Sequence, residues 1–216
     1  MPEYTIPRTA DFAVDADPTK DAWQGAPALA IDNFTWYTSG DKQATDVRLL
    51  WSETGVYALF TCEDKHIGAS VTDLNGPVCK DSCVEFFATV DPERRPDYFN
   101  LEMNCCGVVH LGFGPDRHDR KLIYKELADR IEIATTVAGP PKNEQPEDDG
   151  WVLEVKLPFS VLEQFCDYTF GGQGTVWNAN FYRCGGTDEQ HSTTFPIEKD
   201  RPDFHLPQFF RPIQFG

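Results

Sequence analysis

Residues 45–62 read TDVRLLWSETGVYALFTC, and this stretch decides the fold class of the chain. Two runs rich in apolar and β-branched residues, 45–51 and 56–62, flank the turn residues SETG at 52–55. Two such runs joined by a short turn that contains glycine are typical of a β-hairpin. The stretch therefore predicts two neighbouring antiparallel strands.

The same alternation of short apolar runs and turn residues continues in both directions. Sixteen glycines and sixteen prolines interrupt the chain. Further strands are predicted at 83–89, 98–103, 107–112, 131–137, 151–157, 175–183 and 213–215. Helix is predicted only for one turn at 21–24 and for a short segment at 159–165. Many strands with one short helix predict an all-β, antiparallel β-sandwich, jelly-roll-like, as a single domain over residues 1–216. The polar stretch 138–150 is predicted to be an exposed hairpin loop.

The charge balance limits the partners of this chain. Of its 216 residues, 19 are basic and 35 acidic, which gives a formal net charge of −16 at pH 7. Such a chain is a poor partner for nucleic acid or for an anionic membrane, whereas neutral ligands and metal ions remain compatible. No apolar run approaches the roughly 18 residues that span a bilayer.

Seven cysteines occur at irregular spacing, at 62, 79, 83, 105, 106, 166 and 184. An odd count without a CxxC pair predicts neither a disulfide framework nor a structural zinc site of the usual kind. Mostly buried thiols in a reducing compartment are expected instead. The first residues lack the basic and apolar regions of a secretory signal, so a cytoplasmic location is expected.

Three predicted strands each offer one apolar and one polar face, because neighbouring side chains of a strand point in opposite directions. The polar positions are Glu85, Glu102, Asn104, Asn178, Asn180 and Tyr182. Carboxylates, amides and a phenol suit sugar hydroxyls, which donate and accept hydrogen bonds at once. A merely solvated face is the alternative, but carboxamides are poor strand formers, and this favours a binding face. Arg183 falls on the apolar side of its strand, where it is predicted to need a carboxylate partner.

Several segments, in order, resemble carbohydrate-binding module family 9. Residues 15–17 (DAD) with Ala22-Trp23 are similar to the family's opening Asp-Gly…Trp, and residues 47–64 are similar to its first hairpin. Residues 80–87 (KDSCVEFF) resemble its Asp-Ser-Val-Glu-Ile-Phe strand, and the likeness continues through 151–158 and 178–183. The resemblance implies a β-sandwich that binds sugars, is often attached to glycoside hydrolases of carbohydrate catabolism, and sometimes carries calcium.

The resemblance also assigns individual residues. The best-known sugar-binding members hold a sugar between two tryptophans, and these positions fall on Cys79 and Phe204. Glu85 is kept, a family glutamine falls on Asn180, and a family arginine falls on Glu102. The implied carbohydrate-binding residues are Glu85, Glu102, Asn104, Asn178, Asn180, Tyr182 and Phe204. Loss of one aromatic ring predicts weak binding of simple sugars.

Other functions remain open at this stage. A glycosidase-like or lyase-like enzyme could use Glu85 and Glu102, since glycoside hydrolysis needs two carboxyl groups. A structural Ca²⁺ site is predicted at Asp15, Asp17 and Asp64, because calcium prefers oxygen ligands. Haem-binding domains of the wider superfamily use a methionine and a histidine, here Met103 and His110, but Met103 is predicted to belong to the core. Recognition of a carbohydrate without catalysis is the favoured interpretation.

Overall fold

A computed structural model of the chain describes residues 3–137, 139, 142–185 and 191–216. Within these residues the strands form two β-sheets that pack face to face. The β-sandwich prediction is confirmed. Three short helices accompany the sheets: α1 (Asp21–Gln24), α2 (Lys125–Ala128) and α3 (Phe159–Cys166). In the described chain, no helix has the length and apolar character needed to cross a membrane.

The larger sheet contains eight strands within the described residues. In spatial order they are β1 (Tyr4–Ile6), β13 (Arg211–Phe215), β11 (Val176–Cys184), β5 (Cys83–Thr89), β6 (Tyr98–Asn104), β7 (Val109–Gly114) and β8 (Lys121–Leu122), and β12 (Ser192–Thr193) also pairs with β11. Every pair is antiparallel except β1 with β13, which is parallel. This pair is an exception to the antiparallel prediction, and a parallel arrangement is possible there because no tight hairpin joins β1 to β13.

The smaller sheet has five strands in the described part of the chain. Their spatial order is β2 (Ala28–Ala30), β3 (Thr45–Trp51), β4 (Gly55–Glu63), β10 (Gly150–Pro158) and β9 (Glu132–Thr135). The predicted hairpin is formed by β3 and β4, with Trp51 opposite Val56 across the turn. Part of the loop predicted at 138–150 lies outside the described residues.

The main core lies between the two sheets. The smaller sheet contributes Val47 and Phe60 among others, and the larger sheet contributes Phe86, Trp177 and Phe181. Phe86 and Phe181 stack with ring centroids 4.8 Å apart. Strand alternation therefore places Val84, Phe86 and Ala88 of β5 in the core and turns the intervening side chains to the outer face of the larger sheet.

The outer face of the larger sheet is also buried, which the sequence did not indicate. Phe87, Tyr98 and Tyr182 of this face pack against Phe204 and Phe210 from the C-terminal part of the chain. Every residue of β5 and of β6 is buried as a result. The polar face predicted to bind a sugar is therefore covered except where a cavity remains.

A buried carboxylate anchors the N-terminal segment. Glu154 of β10 accepts hydrogen bonds from the backbone N–H groups of Asp15 and Ala16, from Lys20 Nζ and from Trp23 Nε1, at 2.8 to 2.9 Å. Ala16 has φ 60°, a left-handed conformation that favours glycine. A glycine at position 16 would adopt this backbone conformation without the strain that Ala16 carries.

An ion pair connects the two sheets at one end. Arg183 of β11 donates to Asp64, which directly follows β4, and both side chains are nearly inaccessible. Trp151 Nε1 donates to the same oxygen, Asp64 Oδ2, at 3.0 Å, and the Trp151 ring lies beneath the Arg183 guanidinium. The prediction that Arg183 needs a carboxylate partner is confirmed.

Candidate functional site

A row of polar side chains crosses the outer face of the larger sheet. Glu85 of β5 lies directly opposite Glu102 of β6 on one side and Tyr182 of β11 on the other. His110 of β7 extends the row beyond Glu102. Residues in register on adjacent antiparallel strands have Cβ atoms only about 4.5–5.5 Å apart. The two carboxyl groups are therefore neighbours that project in the same direction.

Residues 191–206 form a covering segment over this row. Phe204 stacks on Tyr182 with ring centroids 4.2 Å apart and an interplanar angle of 11°. Asn180 fixes the middle of the segment, because its Nδ2 donates to the Phe195 carbonyl at 2.9 Å and its Oδ1 accepts from the Phe195 N–H at 3.0 Å. The Asn180 carboxamide and the pairing of β12 with β11 together position this segment over the sheet.

A cavity of about 160 Å³ remains between the sheet and the covering segment. Its wall consists of Cys79, Glu85, Glu102, Arg117, Cys184, His191, Pro202, Asp203, Phe204 and His205. Ligand pockets for drug-sized molecules usually measure about 300–1,000 Å³, so this cavity suits a single small polar ring. Both positions that the resemblance aligns with the family's tryptophans, Cys79 and Phe204, lie in this wall.

The two carboxyl groups in the wall are strongly desolvated. Glu85 is 2% exposed and Glu102 is 7% exposed. Burial raises the pKa of Glu85 well above its usual range, and nearby Cys184 and Glu102 raise it further. Burial also raises the pKa of Glu102, although His110 and a hydrogen bond from Asn100 partly offset the effect. A protonated carboxyl both donates and accepts, which matches a hydroxyl group.

A cation and an acid form the opposite part of the wall. Arg117 Nη2 lies 2.6 Å from Asp203 Oδ1, and Lys199 Nζ lies 2.5 Å from Asp203 Oδ2. Burial alone would raise the pKa of Asp203, but the hydrogen bonds from Lys199 and Arg117 outweigh it and lower the pKa to about 2. Asp203 therefore stays ionised and holds Arg117 beside the cavity.

His205 completes the wall as a neutral group. Its Nδ1 lies 2.9 Å from the Tyr98 hydroxyl, and its ring packs 5.0 Å from the Phe87 ring. Burial, together with the positive charges of Arg117 and Arg120, lowers the pKa of His205 to about 3. The uncharged imidazole has one donor and one acceptor nitrogen, and the tautomer decides which of them faces a ligand or a protein neighbour.

Five of the seven predicted carbohydrate-binding residues lie in or directly behind the cavity wall. Glu85, Glu102 and Phe204 line the cavity. Asn180 and Tyr182 lie behind its wall, where Asn180 holds the covering segment and Tyr182 supports Phe204.

The other two predicted residues lie further from the cavity. Asn104 uses its side chain to bind Val71 and Asp81 and to accept from two backbone N–H groups of the following turn. Asn178 lies further along β11, opposite Thr89 of β5. Neither side chain is part of the cavity wall.

Four wall residues with a basic or carboxylate side chain were not among the predicted binding residues: Arg117, His191, Asp203 and His205. None lies in a strand, so the alternation that identified Glu85 and Glu102 carries no information about them. They reach the cavity because the covering segment and the loop after β7 fold over the sheet. The weak signal available was the aromatic and proline-rich composition of residues 202–210.

The predicted metal ligands do not gather at one place. Asp64 is paired with the Arg183 guanidinium, and Asp15 is paired with Lys20 at 2.7 Å. A cation at Asp64 would lie against a buried positive charge, which does not fit Ca²⁺ binding. Calcium at Asp15, Asp17 and Asp64 stays a prediction that this geometry does not support.

The pairing of β6 with β7 argues against haem binding by Met103 and His110. Met103 is fully buried in the core between the sheets, whereas His110 pairs with Glu102 on the outer face. Side chains on opposite faces of one sheet cannot bind a single iron ion from two sides. Met103 is a core residue, as predicted.

Comparison with solved structures supports the same fold. The chain superimposes on a candidate carbohydrate-binding protein from Bacteroides uniformis with a TM-score of 0.88 and 24% identity, over 98% of each chain. A family 9 carbohydrate-binding module from Caldicellulosiruptor kristjanssonii, in complex with cellotriose, gives a TM-score of 0.65 and 14% identity, over 98% of this chain and 92% of that one. The same kind of module in complex with glucose gives a TM-score of 0.63 at 14% identity, over 98% and 95%. No curated protein matches the sequence.

The chain is a two-sheet β-sandwich with a small polar and aromatic cavity on the outer face of one sheet. The model of carbohydrate-binding family 9 matches residues 19–215, nearly the whole chain. The chain belongs to carbohydrate-binding family 9.

Proposed function

We propose that the cavity binds a single sugar ring and that the domain performs no catalysis. The observation that carries this proposal is the composition of the cavity wall. The carboxyl groups of Glu85 and Glu102, the Arg117 guanidinium and the Phe204 ring border a cavity of about 160 Å³. A sugar presents hydroxyl groups at its edge and C–H groups on its faces. Such a wall offers hydrogen bonds to the edge and apolar contact to a face.

Preorganisation supports binding over a merely solvated surface. Asp203 fixes Arg117, and Tyr182 supports Phe204 from behind. Groups that are already held in place lose little freedom when a ligand arrives, which favours affinity. The carbohydrate is therefore proposed as the natural partner of this surface.

The arrangement of Glu85 and Glu102 argues against glycoside hydrolysis. A glycosidase places its two carboxyl groups on either side of the scissile bond. Here the two side chains are cross-strand neighbours that point the same way from one flat sheet, so a sugar would lie above both. Both act in our proposal as hydrogen-bonding groups.

Calorimetric titration tests the proposal, and glucose and cellobiose are suitable first probes because relatives were solved with glucose and cellotriose. We expect binding of a monosaccharide that weakens in Glu102→Gln and persists in Asn178→Ala, a polar residue outside the wall. Equal affinity of wild type and Glu102→Gln would place the sugar elsewhere.

Incubation with oligosaccharides separates binding from catalysis. We expect no released reducing ends from the wild-type domain. Turnover that disappears in both Glu85→Gln and Glu102→Gln would overturn the non-catalytic proposal and favour the enzyme.

A further inference from the structure

Three buried side chains at the floor of the cavity form a second chemical group. Cys83, Glu85 and Cys184 are each at most 2% exposed. The two sulfur atoms and a carboxylate oxygen all lie within 4.8 Å of one another. The register explains the cluster, because Cys83 of β5 lies directly opposite Cys184 of β11 and Glu85 follows two residues later on the same face.

We propose that Cys83, Cys184 and Glu85 bind a thiophilic divalent cation, for which Zn²⁺ is the best match. Zinc forms bonds of about 2.3 Å to cysteine sulfur and about 2.0–2.2 Å to carboxylate oxygen in a tetrahedron, so its ligand atoms lie roughly 3.6–3.8 Å apart. Cys184 Sγ already lies 3.0 Å from Glu85 Oε1. Small side-chain rotations would bring all three atoms to the required spacing.

The chemistry of the donors selects the kind of metal. Two thiolates and one carboxylate suit a soft or borderline cation, whereas calcium needs six to eight oxygen ligands. This cluster therefore differs in place and in ligand type from the predicted calcium residues.

The net charge of an occupied site is small. Two thiolates and one carboxylate around a divalent cation leave a single negative charge. Arg117 lies in the same cavity wall, where its charge can balance the single negative charge that remains.

The cavity provides the entry path. Glu85 and Cys184 line it directly, and Cys79 lies beside them in the wall with a largely exposed side chain. Cys184 Sγ lies 3.5 Å from the Cys79 carbonyl oxygen, so the Cys79 segment borders the cluster. The fourth coordination position of the metal would face the cavity, which is the pattern of a site that keeps an open position.

Titration of the reduced, metal-free domain with Co²⁺ tests this site without any sugar. We expect one equivalent to bind with a thiolate-to-cobalt charge-transfer band in the near ultraviolet and the intense visible bands of tetrahedral cobalt, and Zn²⁺ should displace both. Absence of the charge-transfer band in the wild-type protein overturns the proposal.

Variants locate the metal. Cys184→Ser and Glu85→Gln should each weaken Zn²⁺ binding at least about 100-fold in competition with a chromophoric chelator, since loss of even an outer-shell partner costs about 10–100-fold. Cys106→Ser, a partly exposed thiol outside the cluster, serves as the matched control and should retain wild-type affinity. A loss with Cys106→Ser but not with Glu85→Gln would assign the metal to adventitious thiols and overturn the site.

Discussion

Cys79 and Phe204 lie in the wall of one cavity, but only Phe204 supplies a ring. The family resemblance implies a sugar stacked between two aromatic side chains, and we predict that only one of these two rings is present here. Base–aromatic stacking in nucleic-acid complexes contributes about 1–3 kcal/mol per ring, and a sugar face should gain a comparable amount. A difference of 1.4 kcal/mol corresponds to about a tenfold change in affinity.

We therefore predict weak binding of simple sugars by the wild type, with a Kd of about 0.1–10 mM. Cys79→Trp should tighten binding of a glucose-type ligand roughly tenfold or more by restoring the second ring. Phe204→Leu should abolish measurable binding, because it keeps an apolar side chain against Tyr182 but removes the ring. Calorimetry checks both variants, and micromolar binding of cellobiose by the wild type would contradict the carried-over site.

His205 gives a second prediction at the scale of a residue, because its pKa is lowered from 6.5 to about 3 by burial and by Arg117 and Arg120. The unfolded chain then binds one more proton than the folded domain between these two values. The contribution of His205 to the free energy of unfolding is fully present above pH 6.5. It declines as the pH falls toward 3, by at most about 1.4 kcal/mol per pH unit.

The wild type should therefore lose stability from about pH 7 to pH 5 more steeply than His205→Gln, by up to about 2 kcal/mol in the free energy of unfolding at pH 5. Urea unfolding at several pH values measures the difference. His118→Gln, which changes an exposed histidine, should retain the wild-type slope, and equal slopes for all three proteins would refute the assignment.

At the scale of an element, the covering segment of residues 191–206 converts a sheet face into a cavity. It is attached to β11 by the pairing of β12 and by two hydrogen bonds between Asn180 and the backbone of Phe195, which lies beyond β12. It also carries His191, Asp203, Phe204 and His205 into the wall. The position of the segment therefore controls a site that Asn180 itself does not line.

Asn180→Ala should remove this attachment and leave the Phe195 N–H without its acceptor, at about 1–3 kcal/mol, whereas the Phe195 carbonyl keeps its hydrogen bond from Thr193 Oγ1. We expect a less stable domain, faster hydrogen exchange of the Phe195 amide and weaker sugar binding. Asn178→Ala, on the same face of the same strand, should change none of these three properties. Unchanged exchange at Phe195 in Asn180→Ala would show that other contacts hold the segment.

The strands could be predicted from the sequence because alternation is a local property. In residues 83–89, Val84 and Phe86 point into the core, so Glu85 between them points to the other face of the sheet. Glu102, its partner on β6, points to that same outer face. The covering segment could not be predicted, because it has no periodicity and is held by single long-range contacts such as Asn180 with Phe195. The same limit explains why Arg117 and His205 were missed. For Asp64, sequence order alone gave no means of distinguishing a metal ligand from the partner of Arg183.

At the scale of the whole molecule, the Arg183–Asp64 pair links the two sheets. Asp64→Ala should lower the free energy of unfolding by about 3–5 kcal/mol, because it leaves a buried guanidinium without its partner. Replacing both residues, as Asp64→Leu with Arg183→Met, should recover most of this loss.

Chemical denaturation tests this prediction, and an exposed ion pair of the same chain serves as the control. Asp41 and Lys65 pair at 2.7 Å with side chains that are 72% and 63% exposed. Asp41→Ala should therefore change stability by no more than about 1 kcal/mol. Similar losses for Asp64→Ala and Asp41→Ala would show that the buried pair contributes nothing special to the joining of the sheets.

The strands at the sheet margins have a consequence for association. Within the described chain, β1, β8, β2 and β9 contain two to four residues each. A long, flat margin offers unpaired N–H and C=O groups on which a second chain can form a strand. Fibril-forming segments need about six or seven residues in extended pairing, which is more than any of these margins provides. The folded domain is therefore protected against strand-by-strand polymerisation, and fibril growth would have to begin from unfolded chains.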